Sequence, residues 1–310
     1  MQTTNSMMVF LGFVLYGHNP TMMWEEIKIS HLFCSKESIK EFIEKEKSEC
    51  KDICKNYTNG IVPTLAIIQV GDDPASNRYI KGKVADCDEV GIRTICSKYE
   101  EGISESNFAA EVLKISKRDD VHGVIIQKPL PYHLEKIWDN IINLIPKEKD
   151  VDGFRKDSRF TPCTAQGIMS YLTPEGENFA GFHCVIVGRS DLVGRPLAKA
   201  MLDNDATVTV CHSRTKNLDQ ITSIADILVV AVGKAKFIDH RYVKPNATVI
   251  DVGINFDENG KMCGDVDYDD VKQVTGFCTP VPGGVGLLTR LALLQNVLNA
   301  FVVQEHKIYG

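Results

Sequence analysis

Apolar residues along this chain follow two alternating rhythms: short continuous runs, and longer stretches spaced at helical intervals. The continuous runs predict strands buried on both faces, as in parallel sheets. They lie at 64–70 (TLAIIQV), 93–97, 123–127 (GVIIQ), 184–187 (CVIV), 206–211 (ATVTVC), 226–233 (DILVVAVG) and 247–253 (ATVIDVG). Helical patterns run between them. Over 38–57 the apolar residues Ile39, Phe42, Ile43, Cys50, Ile53, Cys54 and Tyr57 make one stripe with charges between. A helix over about 75–90 stops at Gly91, a natural C-cap, another covers about 104–116, and a third starts near Pro196. The last helix, about 288–303, is apolar on most faces and must be covered by packing back on the first half of the chain.

Strands alternating with helices predict an α/β protein whose ligands collect at the carboxyl ends of the strands. Two α/β domains are expected, the second a Rossmann-type doubly wound parallel sheet. The first should cover 25–163 and be completed by a terminal helix within 285–310. The second should cover 164–284, and 1–24 reads as an extension. No internal repeat or low-complexity tract interrupts this plan.

Composition narrows the picture little but usefully. The 310 residues are 44% hydrophobic and 25% charged, as in a soluble globular protein of two ordinary domains. A net charge of −6 argues against nucleic acid or an anionic membrane as the main partner. The 10 cysteines are scattered with no C-x-x-C or zinc spacing, so free thiols in a reducing cytoplasm are expected, and no metal. The apolar run 7–16 is too short to span a bilayer and has no basic residue before it. Residues 1–24 contain no Arg, which disfavours a mitochondrial address. Folding is expected to start near Met22 or Met23, with 1–21 dispensable.

Candidate chemistry centres on HCVIVGRSDLVGRP, 183–196, which reads as strand, loop and helix. Gly188, Ser190 and Gly194 would let the backbone approach a pyrophosphate, which the helix amino terminus attracts. The spacing G-x-S-x-x-x-G departs from the dinucleotide fingerprint, and such turns also occur without a ligand. The next strand ends in His212-Ser213-Arg214, with no acid over 206–218 to hold a ribose 2′-hydroxyl. Arg189, Ser213 and Arg214 would instead welcome a 2′-phosphate, which favours NADP over NAD. Gly233 and Ile254, at the ends of the following strands, are further candidates for cofactor contact.

Four other segments stand out. Tyr79 and Lys83 share a helical face, though such a pair is usually a solvated one. Gln127 ends an apolar strand before K-P-L-P, where it would either meet a ligand or cap the strand. Asp150 and Asp152 in KDVDG could grip N–H donors, bind a cation or form an Asx turn. TPVPGGVG, with Pro282, Gly283 and Gly284, makes a rigid loop suited to a ligand wall or a plain connector.

In this order the segments VGDDPASNRYIKGK, GVIIQKPLP, KEKDVDGF, PCTAQG, VIVGRSDLVGRP, VTVCHSRT, VIDVGIN and TPVPGGVG resemble the bifunctional methylenetetrahydrofolate dehydrogenase/cyclohydrolase family. The resemblance runs from about Glu25 to the carboxyl terminus. It implies oxidation of 5,10-methylenetetrahydrofolate to the 5,10-methenyl cation with NADP, then hydrolysis to 10-formyltetrahydrofolate. It implies that Lys83 is the central catalytic residue, that Gln127 supports it, and that Tyr79 lines the folate site. It also implies that Asp150 and Asp152 bind folate, that Arg189 and Ser213 hold the 2′-phosphate, and that the protein is a homodimer.

The chain departs from the family's pattern at Lys128, usually leucine, and at Ala165, usually proline. Leu287 and Leu288 stand where proline and methionine are usual, Arg290 follows Thr289, and the usual D-G-K-x-x-A opening is missing around Ile29 to Ser35. Lys128 beside Gln127 leaves a dehydrogenase without the hydrolase step as one alternative. A non-catalytic dinucleotide- or folate-binding regulator, or an NADP oxidoreductase of another substrate class, are the others.

Overall fold

The computed structural model describes residues 36–56, 58, 60–173 and 178–308. The expectations for the extension and for Ile29 to Ser35 lie outside the described residues, as does Tyr57 at the end of the first predicted helix.

The first half is a three-stranded parallel sheet flanked by helices. It runs α1 (Lys36–Asn56), β1 (Thr64–Val70), α2 (Pro74–Val90), β2 (Arg93–Tyr99), α3 (Glu105–Ser116) and β3 (Gly123–Ile126), with β1 central in the order β2-β1-β3. Every residue of β1 is buried, as its unbroken apolar run requires. Local signals set the ends of α2. The Asp73 carboxylate accepts from the Ser76 N–H, Pro74 opens the helix, and Gly91 at φ 92° closes it by donating to the Cys87 carbonyl.

After α4 (Cys163–Leu172) the chain builds β4 (His183–Val187), α5 (Gly194–Asp203), β5 (Thr207–Cys211), α6 (Leu218–Thr222), β6 (Ile227–Val230) and β7 (Thr248–Asp251). A small antiparallel hairpin follows, β8 (Asn255–Phe256) with β9 (Met262–Cys263), and then β10 (Phe277–Cys278). The second sheet is parallel throughout, in the order β10-β7-β6-β4-β5. Strand order reverses at β4, whose neighbours are β5 and β6, so the carboxyl ends of β4 and β6 flank the crevice where doubly wound sheets bind ligands.

The last helix, α7 (Val285–Ile308), starts at the second sheet and ends on the first. Val285, Leu288 and Leu291 share a core with Ile186, Val229 and Ile250. Leu293, Leu294, Val297 and Leu298 share another with Leu65, Ile67 and Ile125. It therefore packs back on the first half as expected, while its first turns also belong to the second core. The α1 helix divides in the same way, with Ile39 and Ile43 in one core and Cys50 in the other. Each fully buried side chain of this size contributes ~1.5–3 kcal/mol, so the two halves share stabilising surface well beyond a linker. Gly167 of α4 is what allows α4 and α7 to touch, because a Cβ there would collide with the Leu288 carbonyl. Two departures from the family's pattern, Ala165 and Leu288, are both fully buried in this shared core.

Candidate active site

Helical spacing places Tyr79, Gly82, Lys83 and Asp86 on one stripe of α2. The stripe is not a solvated face. Lys83 is only 6% exposed, its Nζ donates to Gln127 Oε1 at 3.1 Å, and it lies 5.3 Å from the centre of the Tyr79 ring. Gln127 extends β3 by one residue, with its N–H donating to the Ile68 carbonyl. Its amide has one arrangement. Nε2 donates to the Lys128 carbonyl at 2.7 Å, which leaves Oε1 facing Lys83.

Asp152 completes the group. Burial pushes its carboxyl above the ordinary range, opposed first by the nearby Lys83 ammonium. Burial and the Asp152 charge push the Tyr79 phenol up to about 12, so its hydroxyl stays protonated and can donate. The Cys163 thiol beside Asp152 is held well above its usual value, again by burial. A buried carboxylate, an amine, an amide and a phenol thus converge on one place. Together they can hold a flat heterocycle bearing N–H donors and exchange a proton with it.

This group opens on a cleft of about 490 Å³ between the two halves. Tyr79, Gln127 and Lys128 line one side, and Asp251 to Ile254 with Pro280 to Leu287 line the other. Pro282, Gly283, Gly284 and Ile254 are thus among the residues that line it. Lys128 is tied elsewhere. Its Nζ pairs with Glu135 at 3.0 Å and sits 3.9 Å from the Trp138 ring centre, so it does not compete for Gln127.

The loop after β4 has the geometry of a phosphate cradle. Gly188 sits at φ 129°, and a Cβ there would collide with the Ala231 carbonyl after β6. A Cβ at Gly194 would collide with the Gly188 carbonyl, so the loop folds tightly over the start of α5. Val187 pairs in register with Cys211, which sets Arg189 and Ser213 each two residues beyond the same rung. Arg189, Ser190, Ser213 and Arg214 are exposed there. These residues fit a dinucleotide with a 2′-phosphate: glycine backbone for the pyrophosphate, and cations and hydroxyls, with no acid, at the ribose end.

Two sequence expectations change in detail. Asp150 is engaged in a turn. Its oxygens accept the backbone N–H groups of Phe154 and Arg155, at 3.2 and 2.9 Å, so it serves the turn that presents Asp152. The Ser190 hydroxyl accepts from the Val193 N–H at 3.2 Å and so also shapes its loop. Gly233, at φ 66°, donates its N–H to Asp265 at 3.0 Å.

The pattern of the sequence did not reveal four contributors. Asp265 is fully buried and accepts from the N–H groups of Val232, Gly233 and Lys234 and from Asn255 Nδ2, holding the loop after β6. Asp251 accepts from Gly253, Asp265 and Val266 and holds the loop after β7. Asp86 and Arg290 form an ion pair at 3.0 Å beside Gly82. The stripe through Tyr79 and Lys83 could have flagged Asp86, but a lone acid inside VIDVGIN or CGDVD carries no signal of its own.

Comparison with known proteins gives a consistent result. Residues 35–152 match the family model for the tetrahydrofolate dehydrogenase/cyclohydrolase catalytic domain. Residues 162–305 match that for the NAD(P)-binding domain of the same family. The chain is 47% identical over 258 residues to the bifunctional protein FolD of Geobacillus thermodenitrificans, covering 80% of this chain and 90% of that protein. A crystal structure of the bifunctional FolD dehydrogenase/cyclohydrolase of Campylobacter jejuni superposes with a TM-score of 0.81 at 38% identity, covering 86% and 97% of the two chains. The FolD of Trypanosoma brucei, in complex with NADP cofactor and an inhibitor, superposes with a TM-score of 0.79 at 28% identity over 90% and 98%.

Proposed function

Since the chain belongs to the tetrahydrofolate dehydrogenase/cyclohydrolase family, we propose a division of its two reactions among the residues of this one cleft. The enzyme oxidises 5,10-methylenetetrahydrofolate with NADP and hydrolyses the 5,10-methenyl product to 10-formyltetrahydrofolate. The observation that carries the division is the 3.1 Å contact of Lys83 with Gln127, near the buried Asp152.

Asp152 accepts the amino and ring N–H groups of the pterin, for which an acceptor-only carboxylate is suited. The Tyr79 ring and the 282–284 wall flank the folate. When bound, NADP supplies the acceptor for the hydride that leaves the methylene carbon. The chain's part in that step is positioning, with the loop around Gly188 and Gly194 on the pyrophosphate and Arg189, Ser213 and Arg214 on the 2′-phosphate. Gly233 and Ile254 border the same ligand.

In hydrolysis, water adds to the methenyl carbon and gives up a proton. The hydroxyl so formed then loses its proton as the carbon–N5 bond breaks and N5 takes one up, so the proton given up first is the one released overall. Lys83 serves the second exchange: its ammonium gives N5 the proton, the amine so formed takes the one from the hydroxyl, and Gln127 keeps it aimed. Lys128, held by Glu135 and Trp138, leaves this arrangement undisturbed, which favours two activities over a dehydrogenase alone.

Within this reading the folate side is 25–163 together with the terminal helix, and the NADP side is 164–284. A homodimer in the cytoplasm, with no membrane or nucleic-acid partner, fits the net charge of −6 and a terminal helix largely buried in the fold. A coupled assay with 5,10-methylenetetrahydrofolate and NADP, read at the methenyl absorbance and then through its decay, tests both steps. Decay no faster than in buffer would remove the hydrolase assignment.

A further inference from the structure

Arg290 is a cation in the wall of the folate cleft that the two reactions do not use. It sits in the second turn of α7, with its side chain 23% exposed, and lines the cleft close to Tyr79. Its position is fixed on two sides. Nε pairs with Asp86 Oδ2 at 3.0 Å, and the guanidinium packs against Gly82, where any Cβ would strike Nη1. Lys47 takes the other Asp86 oxygen at 2.7 Å and also pairs with Glu89, which Lys51 pairs in turn. Arg290, Lys47 and Lys51 thus face Asp86 and Glu89, three cations against two carboxylates. Asp86 does not neutralise Arg290 alone, because it is shared. Among the described residues neither terminal nitrogen of Arg290 has a hydrogen-bond partner.

We infer that Arg290 is a substrate-binding residue whose terminal nitrogens hydrogen-bond an acceptor oxygen of the folate. This rests on the folate reading of the cleft and names a residue that sets its specificity. A planar guanidinium held on one edge presents its other edge as a fork for a carboxylate or carbonyl. A tetrahydrofolate offers that chemistry in two places, the ring lactam oxygen and the carboxylates of its glutamate tail. Gly82 belongs to the same device, since a larger residue there would displace the fork.

The test measures dissociation constants of tetrahydrofolate, of its des-glutamyl analogue tetrahydropteroate and of NADP by calorimetry on the full chain. The wild type, Arg290→Leu and Arg290→Lys are compared. Arg290→Leu should weaken tetrahydrofolate by about tenfold or more while NADP stays within about twofold. Arg290→Lys, which keeps a cation against Asp86 but loses the fork, should fall between. Loss confined to tetrahydrofolate assigns the oxygen to the tail, and equal loss for tetrahydropteroate assigns it to the ring. Wild-type affinity for tetrahydrofolate in Arg290→Leu overturns the inference, and so does an equal loss for NADP. If Arg290→Leu does not fold, Arg290→Lys decides, and unchanged tetrahydrofolate binding by it counts against the inference. A wild type that binds no tetrahydrofolate would instead remove the folate reading itself.

Discussion

Lys83 and Gln127, from a helix and a strand end 44 residues apart in sequence, meet at 3.1 Å with the amine as donor and the amide oxygen as acceptor. The pairing leaves the amine a fixed aim at one point in the cleft. Lys83→Met keeps the apolar stem and removes the donor, so tetrahydrofolate binding should largely survive. Methenyl hydrolysis should drop to background while part of the dehydrogenase rate remains, because hydride transfer needs positioning and hydrolysis also needs a moving proton. Gln127→Ala should damage both. Separate assays of the two steps decide, and near-normal hydrolysis in Lys83→Met would sink the role given to this lysine.

The arrangement has a support one layer out. Glu135 bonds Lys128 Nζ at 3.0 Å and the Leu130 N–H at 3.3 Å, so one carboxylate grips both sides of Pro129. The Lys128 carbonyl between these grips is the group that orients the Gln127 amide. Glu135→Leu should therefore lower kcat of hydrolysis by roughly fivefold, the equivalent of about 1 kcal/mol, with a smaller change in KM. Glu135→Gln retains an acceptor for Leu130 and should recover much of the rate. A change in KM alone, or none, would show that the loop needs no such clamp.

Much of this was legible in the sequence, for reasons that differ by element. Parallel strands announce themselves because burial on both faces demands unbroken apolar runs: β1 and β5 to β7 fall inside the predicted limits, and β4 begins one residue early, at His183. The end of helix α2 was readable from Gly91, which acts locally. The terminal helix was seen as apolar on most faces, but its membership of both cores was not visible, since that depends on where two sheets stand in space. The same limit applies at the site. Tyr79 and Lys83 show their shared face by spacing, whereas Arg290 and Asp86 meet across 204 residues of chain. Asp150 and Asp152 look alike in sequence. Only the fold separates the one that caps a turn from the one that faces Lys83.

Cofactor choice follows from the end of the rung that Val187 and Cys211 form. With no acid over 206–218 and Arg189 exposed just beyond β4, the ribose end is built for a phosphate. Arg189→Ala should weaken NADP by roughly tenfold, or 1.5 kcal/mol, and NAD far less. Titration of both cofactors against the variant checks this. Equal losses would place Arg189 on the shared pyrophosphate or on the loop itself.

Asp251 gives a prediction in pH. Its carboxyl is 2% exposed and burial raises it to about 6, although three backbone N–H groups oppose the shift. The folded-state value lies above the unfolded value of about 3.9. The sign follows from that order. Asp251 contributes stability in full below about pH 4, and the contribution is lost as pH rises through 6. At most about 3 kcal/mol is at stake, at 1.36 kcal/mol per unit. Asp251→Asn keeps an acceptor for the loop after β7 and cannot ionise, so it lacks this dependence. The difference in Tm, wild type minus variant, should therefore grow as pH falls from 8 to 5, whatever its value at pH 8. Other carboxylates and histidines titrate in both proteins and cancel in the difference. A difference flat across that range would mean that Asp251 is ionised throughout, and that its three N–H partners outweigh its burial.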